Sequence, residues 1–212
     1  MATIKKGITS HFTGKIGGVV GTTWRGIAVV KTAPKKSTKK PSVAQLLQRA
    51  KFSTVVAFLQ PIKPFLMAHF GKMEDSKAPF DFAISYHLKN AIKVEDDMLV
   101  IDYPKVCISK GHLKGLDGAS ATVTAANVLT LQWTDNSNQS FTNPDDRLNI
   151  VLFIPSMELF YFFENSAMRH DQSVQLPLPE ATVGAEVHCW ATFVSFTGLQ
   201  AATSSYILMA NE

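Results

Sequence analysis

Neither aspartate nor glutamate occurs in the first 73 residues of this 212-residue chain; the first acid is Glu74. That stretch holds 13 lysines and arginines, while residues 74–212 hold 8 basic and 17 acidic ones, so a net charge of +4 conceals a division of +13 against −9. With no acids, the N-terminal third cannot compensate its own charge. Such asymmetry points to a polyanionic partner, or to the acidic part of another copy of the chain.

Cysteine is scarce. Cys107 and Cys189 form no C-x-x-C pair, which excludes a thiolate metal knuckle and a disulfide framework, so both are expected as buried reduced thiols. Long apolar runs are missing too: Val55 to Leu59 and Leu152 to Phe163 are short and interrupted, far below the roughly 20 residues of a membrane span. No membrane insertion is expected. "MATIKKGITSHFTGKIGG" lacks the apolar stretch of a signal peptide. Synthesis in the cytoplasm is therefore expected, with an extracellular or phage-like assembly left open as a destination.

Catalytic signatures are absent as well. The histidines (His11, His69, His87, His112, His170, His188) are scattered, with no H-E-x-x-H and no pair at i, i+4. No G-x-S-x-G elbow occurs, and Cys189 and His188, as neighbours in a strand, would face opposite ways. The acid pairs Asp96-Asp97 and Asp145-Asp146 fall in expected loops and read as solvated turns. Gly14, Gly17, Gly18 and Gly21 are in the wrong order for a phosphate loop. Neither an enzyme nor a cofactor nor a metal site is expected.

What is present is a globular composition, with 46% hydrophobic residues and 18% charged ones. Residues 1–41 read as a basic β-hairpin arm and linker: the runs Ile16 to Thr23 and Ile27 to Thr32 join through Trp24-Arg25-Gly26. Residues 42–97 read as a helical segment. Ser42 with Gln45 forms a capping-box pattern, and the apolar positions from Leu46 to Leu59 keep helical spacing until Pro61. A short helix from about Ile62 to Phe70 closes at Gly71, and a third helix begins near Pro79.

Residues 98–212 change texture to short strand-like runs: "MLVIDY", "KVCISKG", "ATVTAANVLTLQWT", "RLNIVLFIP", "ELFYFFE", "SVQLPLP", "EVHCWATFVSF" and "TSSYILMA". Seven or eight strands without helical pattern between them predict a β-sandwich. The fold class is thus mainly β, with a helical segment ahead of a sandwich, and the arrangement of "LTLQWTDNS", "LPLP", "GAEVHCW" and "SSYILM" resembles a fibronectin type III or related immunoglobulin-like module. Val187 and His188 stand where a tyrosine corner would be expected. Trp133 and Trp190 are the expected core anchors. Trp133 alternates with Leu129 and Leu131, whereas Trp190 is placed less regularly and is the likelier to face outward.

The motifs "GKIGGVVGTTWRG", "APKKSTKKPSVAQLLQRAKF", "LKNAI", "IDYPKVCISKG" and "WTDNS" together resemble an uncharacterised Bacteroidota family filed as a domain of unknown function. The likeness runs over nearly the whole chain and implies no activity, ligand or catalytic residue. A fainter likeness of the Ala44 to Phe52 stretch is to small phage-particle proteins.

Two partner classes follow from the charge division. The first is copies of the chain itself, with Arg25, Lys31, Lys35, Lys36, Lys39, Lys40 and Arg49 docking on an acidic body to give a filament, tube or shell. The second is nucleic acid or another polyanion held by the same residues through phosphate contacts. A third alternative, carbohydrate binding, would require Trp133 and Trp190 to be exposed along a groove.

Overall fold

The computed structural model describes residues 3–4, 12–24, 26–35, 39–74, 77–95, 98–124 and 126–211, and these divide into two units, 1–46 and 47–212. Arg25, Lys36, His11 and the Asp96-Asp97 pair, singled out from the sequence, lie outside the described residues.

The first unit holds an antiparallel sheet in the order β1 (Thr3–Ile4), β2 (Phe12–Ile16), β3 (Val19–Trp24), β4 (Ile27–Thr32). The expected hairpin is its β3–β4 half, in register from Val19 opposite Thr32 to Trp24 opposite Ile27. The run expected from Ile16 to Thr23 is not continuous, however. Gly17 takes a φ of 57° and the chain reverses at Gly17-Gly18, a pair that tolerates the left-handed turn a two-residue hairpin needs.

Helix α1 (Val43–Leu59) begins as the capping box predicts. The Gln45 N–H donates to Ser42 Oγ (3.3 Å) and the Ser42 N–H to Gln45 Oε1 (3.1 Å). α2 (Lys63–His69) follows the Pro61 break, and α3 (Pro79–Asn90) starts with proline in its first turn, where a missing N–H costs nothing. At α3 the Ala78 N–H donates to Asp81 Oδ2 (2.9 Å).

β5 (Ile92–Glu95) and β6 (Met98–Ile101) form a two-stranded hairpin outside the sandwich sheets. "KVCISKG" is not a strand either, because its backbone finds side-chain partners instead of a ladder. The Cys107 N–H donates to His87 Nε2 (3.3 Å) and the Ile108 N–H to Ser204 Oγ (2.9 Å). The sandwich strands therefore start later than their texture suggests. They are β7 (Asp117–Val123), β8 (Val128–Thr134), β9 (Arg147–Ile154), β10 (Leu159–Phe163), β11 (Ser173–Pro177), β12 (His188–Val194), β13 (Ser205–Ile207) and β14 (Met209–Asn211).

One sheet has the order β11-β8-β7-β14 and the other β10-β9-β12-β13, antiparallel except for β14 on β7. The first, second, fifth and eighth strands thus face the third, fourth, sixth and seventh, the immunoglobulin-like arrangement with β14 added at one edge. Leu129, Leu131 and Trp133 from one sheet meet Leu148, Ile150, Leu152, Cys189, Ala191 and Phe193 from the other. The opposite face of the second sheet is covered by helices: Val151, Phe153 and Trp190 pack with Val55, Leu59, Ile62, Phe65, Leu66, Phe70 and Ala83. Being buried on both faces explains why β9 and β12 read as continuous apolar runs instead of alternating. No helix among the described residues is long and apolar enough to cross a membrane.

Candidate assembly surface

The sheet of the first unit has almost no interior. Among its described residues only Gly21 is buried, and what covers it is local, since a Cβ there would stand 2.1 Å from Phe12 O and 2.7 Å from the Phe12 ring. The phenyl group lies where any other residue would put its side chain. Cross-strand register sorts the remaining positions by face. Lys15, Val20 and Lys31 share one side with Thr22 and Val29 and with the Trp24–Ile27 pair, while Ile16, Val19 and Val30 lie on the other. Trp24, Ile27 and Val30 are 54%, 51% and 59% exposed. The basic side is thus also an apolar and aromatic one.

The remaining basic residues of the prediction extend this character along the chain. Lys31 is exposed on edge strand β4, Lys35, Lys39 and Lys40 are exposed in the linker, and Arg49 is exposed on α1. Through its first two turns α1 buries nothing, and Val43, Leu46, Leu47 and Phe52 all face outward; burial begins at Val55.

The body's unusual groups serve its interior. Trp133 and Trp190 are 4% and 0% exposed. Trp133 behaves as its alternation predicts, packing edge-on against Phe193 at 6.0 Å with its Nε1–H donated to Arg169 O (2.7 Å). Trp190 does not face outward as expected. It leaves the inter-sheet core, but the helical layer closes over it. Neither indole can stack on a sugar.

Of the Asp145-Asp146 pair, Asp145 is exposed in a turn as expected, but Asp146 is not solvated. Asp146 is 1% exposed, and its Oδ2 accepts from Arg169 Nη2 (3.0 Å), Arg169 Nε (3.2 Å) and the Asn143 N–H (2.9 Å). The fully buried Arg169 also donates to Asn136 Oδ1 and Lys114 O, and its guanidinium lies 4.0 Å from the Phe193 ring centroid. Nothing in the sequence links these five segments. Cys107 and Cys189 are free and buried, and burial raises both thiols, Cys189 to about 12. Thiols held protonated are poor nucleophiles. Among the described residues no cluster of three His, Cys, Asp or Glu could hold a metal.

Sequence reasoning missed a concavity that Lys72, Lys89 and Lys110 line. They come from three separate segments with no shared spacing, so only the folded chain brings them together.

The described parts define a basic, sparsely buried sheet unit and an immunoglobulin-like sandwich layered with helices. The chain belongs to a family of unknown function, DUF6266, whose signature matches residues 10–208. None of the curated proteins compared with the chain matches it.

Proposed function

We propose that the protein is a non-catalytic structural subunit that assembles with copies of itself, the basic N-terminal sheet of one copy docking on the acidic body of the next. The observation that carries this reading is the sheet of residues 12–32, which presents Trp24, Ile27, Val30, Ile16 and Val19 at its surface and buries only Gly21 among its described residues. A small sheet without a packed face is marginal in water, and an exposed apolar patch beside edge strand β4 invites pairing. Charge selects the occupant. Residues 1–46, the unit that holds the sheet, carry nine basic residues and no acid, whereas residues 47–212 carry 12 basic and 17 acidic ones; such units attract each other and repel their own kind, which favours head-to-tail contact and open growth into a filament, tube or shell.

Light scattering with negative-stain microscopy, over a range of salt concentrations, tests the reading. Assemblies that form at low salt and dissociate as salt rises are expected. Changing Lys35, Lys36, Lys39 and Lys40 together to Glu should abolish them while the body stays folded. Monomers at every protein concentration in low salt would overturn it. The alternative, a polyanion partner, draws on the exposed Lys31, Lys35, Lys39 and Lys40 and the half-exposed Trp24. It requires a nucleic-acid mobility shift whose affinity falls steeply with salt, without self-assembly.

A further inference from the structure

Among the described residues the concavities of the body include one of about 690 Å³ and two of about 280 Å³. The large one falls within the roughly 300–1,000 Å³ typical of small-ligand sites. Its walls are the end of α2 with residues 70–74, one face of α3, the 110–112 segment and the 199–201 segment. Lys72, Lys89 and Lys110 line it, and Glu74 is the one carboxylate among the lining residues described. None of these lysines takes part in an ion pair among the described residues. The described lining thus carries three lysines to one carboxylate, although residues 74–212 as a whole carry net negative charge.

The walls are tied rather than loose. The Gly71 N–H donates to Lys110 O (2.8 Å) and the Lys110 N–H to His69 O (3.0 Å), which locks the flanks of Lys72 and Lys110 together. Gly111 presses against the 199–201 segment so closely that a Cβ would stand 2.1 Å from Ala201 O. On α3, Phe82, Ser85, Tyr86 and Lys89 recur at i, i+3, i+4 and i+7 and so share one face. The Tyr86 ring is held edge-on by Phe70 at 6.2 Å, with the Lys110 ammonium 5.5 Å from its centroid. An aromatic wall in a cleft also lined by three lysines, with Ser85, Asn90 and Gln200 among the lining residues, matches a ligand that has both a ring and tetrahedral oxyanions.

We propose that this cleft binds a small phosphate or sulfate ester of a sugar or nucleoside, with Lys72, Lys89 and Lys110 receiving the anion and Tyr86 lying against the ring. Lysine ammonium groups suit this role as point charges of adjustable reach, and fixed walls reduce the ordering cost of binding.

Isothermal titration calorimetry on the full chain at low and physiological salt, with ATP, a sulfated heparin disaccharide and inorganic pyrophosphate as probes, tests the site. Saturable binding of at least one ring-bearing probe is expected, tighter than pyrophosphate. Whether ATP or the disaccharide binds more tightly distinguishes a phosphate from a sulfate ligand. The combined variant Lys72→Gln, Lys89→Gln, Lys110→Gln should weaken binding about tenfold or more, while the control variant Lys63→Gln, Lys77→Gln should bind as the unaltered protein does. These lysines are exposed, so folding is not at risk, and circular dichroism verifies it. No saturable binding of any probe, or equal binding by the two variants, overturns the proposal. Neither variant touches Lys31, Lys35, Lys36, Lys39 or Lys40, so the assembly reading stands or falls separately.

Discussion

Asp146 and Arg169 show what a single buried pair does here. The guanidinium is fully enclosed, and its charge is met by one carboxylate, an amide oxygen, a backbone carbonyl and an aromatic face. Replacing Asp146 with Ala would leave that charge buried and uncompensated, so a loss of about 3–5 kcal/mol in unfolding free energy is expected by denaturant titration. Changing Asp146 to Leu and Arg169 to Met together should cost much less, because no orphan charge remains. His87 acts through its protonation state. It is fully buried, its Nδ1–H donates to Ala83 O (2.7 Å), and its Nε2 accepts from Cys107, a pattern only the neutral ring can satisfy. Desolvation lowers its pKa below the ordinary 6.5, the Ala83 hydrogen bond opposing in part. The unfolded chain then binds the proton more readily. The stabilisation is complete above pH about 6.5 and is lost as pH falls from there through the lowered folded-state value. Thermal midpoints of His87→Gln should show a shallower decline over that interval than those of the unaltered protein.

The elements differ in how much they depend on neighbours. α1 is capped by its own residues, and β3–β4 by a local turn, so both are legible from short windows of sequence. Gly21 is the exception within the N-terminal sheet, since its need for glycine arises from the Phe12 ring across the ladder. Gly21→Val should break the β2–β3 pairing, and limited proteolysis should then cut between residues 12 and 32 faster while the melting transition of the body is unchanged. An unchanged digestion pattern would show that the close approach is not needed. "KVCISKG" carries the opposite lesson. Its composition is strand-like, but Ser204 and His87 take its N–H groups, and both lie far from it in sequence.

At the scale of the molecule, the two hydrophobic clusters contain, among the described residues, none before Val55. Removing residues 1–41 should therefore leave the thermal midpoint of the body nearly unchanged and eliminate salt-sensitive assembly, read by calorimetry and light scattering. A body that unfolds on truncation would mean that the N-terminal unit contributes to its stability, and a truncated protein that still assembles would place the contact elsewhere.

Period and charge are properties of the chain itself, and they sufficed for the mainly-β class, the helices at Ser42 and Pro79, the core face of β8 and the basic N-terminal third. Alternation along one strand places Trp133, because one covered face is enough to specify it. What covers the other face of β9 and β12 cannot be read from those strands, so the burial of Trp190 was decided only when the helices packed there. The same holds for Arg169 with Asp146 and for the cleft of Lys72, Lys89 and Lys110. Their partners are distant in sequence and carry no shared spacing, and a contact between distant residues exists only once the chain has closed the loops between them.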